Sequence, residues 1–168
     1  MQEPRIVTIS DIKLIGKHIQ TSLEENKTAE LWKSFHPEVK NIRNNTGSGL
    51  YSVQIFSEDL KFEDFNPKTR FEKWAAVEVD GFGDELPEGL ESYTLIGGKY
   101  AVFIHKGLPS DFPKTSRYIH TEWLPNSFYE LDNRPHFEIM DEDYDPTDPD
   151  AEEEVWIPIR QSNIGYDL

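Results

Sequence analysis

The order of local patterns occurs twice in this chain, and that repetition narrows the possible folds more than any other feature. Residues Arg5–Gln20 read as strand, with Ile6, Val7, Ile9, Ile12, Leu14, Ile15 and Ile19 supplying the apolar content. Gly16 is expected to mark a bulge or bend there. Thr28 is expected to cap a helix in which Leu31, Trp32, Phe35 and Val39 fall at helical spacing, broken near His36-Pro37. A turn cluster from Asn44 to Gly49 follows, then strands at Leu50–Phe56 and Phe71–Val79. After a loop from Gly81 to Gly89 the order restarts. Glu91–Lys106 reads as a strand pair or bent strand broken at Gly97-Gly98. Phe112–Leu124 reads as helix, and strands follow at Arg134–Met140 and Glu154–Arg160.

Each pseudo-repeat, about 5–80 and 90–160, is therefore a β-α-β-β unit. Half of a 168-residue chain is too long for a solenoid repeat. One α+β domain spanning 1–168 is expected, with antiparallel sheets, helices on one side and a ligand cleft between the halves.

Charge excludes several roles. The net charge is −15, from 17 Lys and Arg against 32 Asp and Glu. Binding to nucleic acid through phosphates needs a basic stripe, and binding to an anionic membrane surface needs basic clusters. Neither is expected, so no direct DNA binding and no membrane association are assigned. Cysteine is absent, which removes disulfides, thiolate–zinc sites and thiol catalysis, and fits a reducing, cytoplasmic setting. The start Met-Gln-Glu-Pro is not a signal peptide. A monomer or weak dimer is expected.

Strand parity points to a possible groove. Phe137 and Ile139 share one face of their strand, leaving His136, Glu138 and Met140 on the other. Trp74 alternates with Ala75 and Val77, and Trp156 alternates with Val155 and Ile157. If the aliphatic faces pack under the helices, the opposite faces combine Trp74, Trp156, Met140 and Tyr100 with Glu138, Glu154 and His136. Rings mixed with carboxylates suit a ligand groove, or equally a solvent face or a dimer contact.

Five segments carry a family resemblance. They are Leu31-Trp32-Lys33-Ser34-Phe35, Gly97 through Phe103, Glu122-Trp123-Leu124-Pro125-Asn126-Ser127, Arg134 through Ile139, and Glu154 through Ile159. Together they resemble the GyrI-like effector-binding domain, found in multidrug-sensing regulators of the MerR and AraC types and as stand-alone proteins. The resemblance implies a duplicated β-α-β-β fold around a cleft. It also implies that Glu138 lies at the bottom of an aromatic pocket facing lipophilic cations, with Tyr100 in that pocket. Trp74, Trp156, Met140 and Trp123 complete the expected ligand-binding set. A carboxyl in such a place is poorly solvated, which raises its pKa, and aromatic faces attract a bulky cation. The repeat occupies Arg5 to Arg160, so no DNA-reading unit is expected within it.

The leading expectation is a small-molecule-binding protein that senses or sequesters lipophilic, cationic compounds, with no cofactor and no metal. One alternative is a hydrolase of electrophilic small molecules, with Glu138 as general acid or base and Tyr100 orienting water. No G-x-S-x-G or H-E-x-x-H motif accompanies it. Another alternative is an acidic partner that inhibits a DNA-processing enzyme. His18, His36, His105, His120 and His136 have no metal-ligand spacing. Asp141, Asp143, Asp145 and Glu152 fit a calcium-loop register, but Pro146 stands where the turn needs glycine. That segment, with nine acidic residues from Asp141 to Glu154, is expected to be a loop at the cleft rim.

Overall fold

The computed structural model describes residues 2–83 and 85–162. Among these, nine strands and two α-helices run in the order β1 (Arg5–Ile9), β2 (Ile12–Thr21), α1 (Thr28–Phe35), β3 (Asn45–Ile55), β4 (Phe71–Val79), β5 (Glu91–Leu95), β6 (Gly98–Lys106), α2 (Phe112–Tyr118), β7 (Tyr129–Leu131), β8 (His136–Met140) and β9 (Glu152–Gln161). All pairings are antiparallel. The sheet order is β1-β6-β9-β8-β3-β4-β2-β5, with β7 paired to the end of β9.

Two units make up this order. β2-α1-β3-β4 forms one and β6-α2-β8-β9 the other, and β3 pairs with β8 to join them into one continuous curled sheet. The register gives the two units a pseudo-two-fold relation. Val53 faces Trp74 across β3–β4, and Phe137 faces Trp156 across β8–β9. Val53 and Phe137 also face each other across β3–β8, so the pseudo-axis passes through that pair.

The remaining strands are exchanged. β1 precedes β2 in sequence but pairs with β6, whereas β5 precedes β6 but pairs with β2. Only Ser10-Asp11 and Ile96-Gly97 lie between these strands, so the sheet must curl until its two edges meet at one end. There the Gly97 N–H donates to the Asp11 carboxylate at 2.7 Å. The single strand expected over Arg5–Gln20 is thus two strands, β1 at one edge and β2 next to the opposite edge strand β5. Gly16 lies in regular pairing rather than in a bulge, and a Cβ there would run into the Ala75 carbonyl.

The inside of the curl is packed solid. Leu14, Tyr51, Val53, Trp74, Leu95, Tyr100, Val102, Phe137 and Trp156 form one buried cluster, joined by Val7 and Ile9 from one edge and Tyr93 from the other. The helices lie on the outside. Leu31 and Phe35, one turn apart on α1, bury against Ile15, Ala75 and Val77. Full burial of a side chain such as Phe35 contributes about 2 kcal/mol. The helix stops where Pro37 follows His36, and a 3-10 turn continues to Asn41. Thr28 is the first helical residue, with Lys27 in the cap position making no side-chain cap.

Over the second unit, Ala101, Phe103, Val155, Ile157 and Ile159 pack beneath Ile119, Phe112 and Trp123. The long helix expected over Phe112–Leu124 is α2, then a π turn at Ile119–Trp123, then a 3-10 turn at Leu124–Asn126. The short strand β7 was not expected. Its residues lie so near the 3-10 turn that no alternation could develop. β3 starts at Asn45, inside the expected turn cluster, because a register shift between Asn45 and Leu50 absorbs Gly47 and Gly49, both at positive φ.

Candidate functional site

The strip of sheet along the pseudo-axis lies between the two helices. α1 covers β2 and β4 from Ala75 to Val79, with Leu50 and Met140 at its margin, and the α2 region covers β6 and β9 from Val155 to Ile159. The helix side of β3 and β8 at Ser52, Gln54, His136 and Glu138 is left between them as a trough. Its floor is polar, which is unusual for the middle of a sheet. Ser52 and Gln54 of β3 and His136 of β8 are buried there, and Glu138 is half-buried beside them. The Gln54 amide donates to the Ser52 hydroxyl at 3.3 Å and to the Glu138 carboxyl at 3.2 Å. Lys73 on β4 and Glu153 on β9 flank this floor, both half-buried.

The electrostatics follow from this placement. Burial pushes Glu138 from 4.5 up to about 8; Lys73 and the Gln54 hydrogen bond oppose the rise, while Glu153 adds to it. Burial likewise raises Glu153 to about 7, against the pull of Lys73. Burial lowers Lys73, and Glu138 and Glu153 pull it back up. Glu138 keeps part of its surface exposed, while the protein packed around it strips enough hydration to disfavour the charged form.

Rings close one end. Phe62 stacks on His136 with centroids 5.1 Å apart and on His120 at 5.7 Å. Phe56 meets Phe62, Phe65, Phe71 and His136 at 5.1–5.9 Å. His120 comes from the second unit and Phe62 from the first, so this stack bridges the halves. Burial lowers His136 to about 3, helped by His120 and Arg134, which keeps it neutral. Tyr144, from the acidic loop, lies toward the other end beside the Met140 cluster. Burial raises its phenol, and the Glu153, Asp145 and Glu138 carboxylates add to that rise. The loop expected between Asp141 and Glu154 is present, except that β9 begins at Glu152.

The structure separates the expected site residues. Glu138 and Met140 point to the helix side, but Trp74, Trp156 and Tyr100 point into the curl with Phe137. The expected shared face is corrected. Parity held within each strand, but Glu138 pairs with aliphatic Val155 and Phe137 pairs with Trp156. The Trp74 and Trp156 indoles donate to Glu72 and Glu154 at 2.9 and 3.1 Å. Tyr100 is fully buried, donates to the Ile96 carbonyl and lies 4.5 Å beneath the Arg134 guanidinium. Trp123, the last residue of the π turn, packs edge-on against Phe103. Met140 is in the apolar cluster under α1.

Sequence reading missed Ser52, Gln54, Lys73, Glu153 and Tyr144. Four of them have a signal in retrospect. Lys73 has the parity of Ala75 and Val77, Glu153 that of Val155 and Ile157, and Ser52 and Gln54 that of Leu50. Polar residues on the aliphatic parity mark the strip that no helix covers.

A second groove, of about 410 Å³, lies outside the second unit between the start of β1 and residues 118–129. Ile6, Trp123 and Phe128 line it, and Phe128 is 82% exposed. Its acids Glu3 and Glu122 are exposed. It lacks the desolvated charges of the trough, which remains the better candidate.

A family model described as the GyrI-like small molecule binding domain matches residues 2–160. The transcriptional regulator BrlR of Pseudomonas aeruginosa is 26% identical over 156 residues, covering 92% of this chain and 54% of BrlR. The chain thus spans about half the length of that curated relative. Among solved structures, SAV2435 bound to tetraphenylphosphonium aligns with TM-score 0.73 and 19% identity, over 99% of this chain and 98% of that one. A hydrolase from Listeria innocua aligns with TM-score 0.60 and 11% identity, over 94% and 92%. These likenesses establish the α+β curled-sheet fold.

Proposed function

The chain belongs to the GyrI-like small-molecule-binding domain family, and from that premise we propose that its trough receives lipophilic, positively charged molecules through Glu138, to sense or sequester them. One observation carries this reading. Glu138 is desolvated on the floor between the halves, and among the described residues no cation pairs with it within 4.0 Å. A bound cation would restore the charged form of a carboxyl that burial holds protonated. Phe62, His120 and His136 offer ring faces, and each good cation–ring contact contributes about 0.5–2 kcal/mol. Buried ring area adds about 25 cal/mol per Å² without demanding a particular shape. The structure of SAV2435 bound to tetraphenylphosphonium supports the choice of ligand class.

The experiment is a thermal-shift titration with tetraphenylphosphonium, repeated on Glu138→Gln. Stabilisation should grow with concentration, reaching about 2.7 kcal/mol at one hundred times Kd. Glu138→Gln should bind about tenfold more weakly or worse. An equal response from both proteins refutes the carboxyl's role.

Tyr144 favours a second reading, hydrolysis of strained electrophiles such as epoxides. Its phenol feels the charges of Glu153, Asp145 and Glu138, which makes it the candidate for the water-orienting role expected of Tyr100. The Glu138 carboxylate would take a proton from water as water attacks ring carbon and the ring C–O bond opens. The proton then passes to the ring oxygen. Turnover of an epoxide that disappears in Glu138→Gln supports this; binding without turnover removes it.

A further inference from the structure

The charges in the trough are segregated by repeat. The first unit contributes Lys73 and Gln54; the second contributes Glu138 and Glu153. The pseudo-two-fold relation makes the difference explicit. Gln54 corresponds to Glu138, Lys73 to Val155 and Phe71 to Glu153. A duplicated floor has therefore become basic on one side and acidic on the other. Lys73 is in line with Gln54 and His136, and Glu138 lies two residues further along β8. With strands about 4.8 Å apart and a rise of about 3.4 Å per residue, Lys73 and Glu138 are about 12 Å apart at the backbone. Both side chains are long and lie on the same face. Even so, the Lys73 amine comes within 4.0 Å of neither carboxyl and makes no hydrogen bond among the described residues.

A half-buried amine on one face with two acids, closing on neither, puts a donor on one side of the floor and acceptors on the other. A bare cation answers only the acids, and Lys73 repels that cation. We propose that Lys73 makes the trough bipolar, so that its preferred ligand is an amphoteric aromatic molecule. The ligand's carboxylate, or another anionic acceptor, meets Lys73, and its cationic end meets Glu138 and Glu153. This rests on the trough being the ligand site, as proposed above, and it narrows the ligand class from lipophilic cations to lipophilic zwitterions.

The test uses a matched pair of dyes, a rhodamine zwitterion bearing a free benzoate and its methyl ester, which is a plain cation. Fluorescence anisotropy gives the affinity of each for the parent, Lys73→Met, Lys73→Arg and Glu138→Gln. The parent should favour the zwitterion by about tenfold, the effect of one good charged contact. Lys73→Met should abolish or reverse that preference, weakening the zwitterion while the ester holds or tightens. Lys73→Arg should retain the preference, which separates charge from packing. Circular dichroism of each variant checks the fold. A parent that binds the ester as tightly as the zwitterion overturns the inference, as does a ratio unchanged in Lys73→Met. If the ester binds and Glu138→Gln weakens it without any such preference, the inference fails and the cation reading stands. If neither dye binds, both fall.

Discussion

Gln54 and Glu138 occupy corresponding positions on the two central strands, and the amide of one donates to the carboxyl of the other at 3.2 Å. Duplication placed two chemically similar side chains beside the pseudo-axis, and one atom distinguishes amide from acid. The hydrogen bond favours the charged carboxyl, yet burial still dominates and raises Glu138 to about 8. The floor is therefore held partly protonated near neutrality.

This fixes the pH dependence of binding. A cation stabilises ionised Glu138, so tetraphenylphosphonium affinity should rise from pH 6 to pH 9. Calorimetry in buffers of different ionisation enthalpy should register proton release on binding near pH 7. An affinity that does not vary over this range contradicts the assignment.

Stability should respond in the opposite direction. A glutamate titrates near 4.5 when unfolded and Glu138 near 8 when folded, so the native state holds the extra proton between those values. Its contribution is present below about pH 4.5 and is lost as pH rises through 8. Glu138→Gln should therefore be more stable than the parent at pH 8, by about 1–3 kcal/mol after allowing for the water that reaches the group. Urea denaturation at pH 5 and pH 8 measures the difference.

His136 works against acid. Its folded pKa of about 3 lies below the usual 6.5, so the unfolded chain binds the proton first. Stability from this group is present above pH 6.5 and falls as pH drops toward 3. At pH 5 the loss should be about 2 kcal/mol. His136→Phe should flatten that part of the profile in urea midpoints.

The indoles inside the curl should behave as core. Trp156→Ala should cost about 3–5 kcal/mol of stability. Trp156→Phe should fold and bind tetraphenylphosphonium within a factor of about two of the parent, since the residue faces away from Glu138. A selective loss of affinity in a stable Trp156→Phe would return this ring to the binding site.

The doubled β-α-β-β order and the strand at Phe71–Val79 were legible because periodicity and turn residues are local. Which faces coincide across strands was not. Parity correctly put His136, Glu138 and Met140 together, but whether that group matched Trp156 or Val155 depends on register, and register is set between distant segments. The exchange of β1 and β5 was hidden for the same reason. Ser10-Asp11 reads as a flaw in one strand, and only the pairing of Arg5 with Val102 reveals two. Glu138 was identified through the family resemblance. Lys73 went unnoticed because one lysine in an otherwise apolar parity looks like noise until its neighbours are known.

The traded outer strands have a consequence for assembly. Neither half carries all the edges of its own sheet, so neither can complete itself. Each arm is borrowed from the other half, as in two subunits that exchange arms but are here fused into one polypeptide. Severing the Gly81–Gly89 connection would leave two fragments that still clasp one another through both arms, and either fragment alone would expose a raw edge to whatever strand it met first.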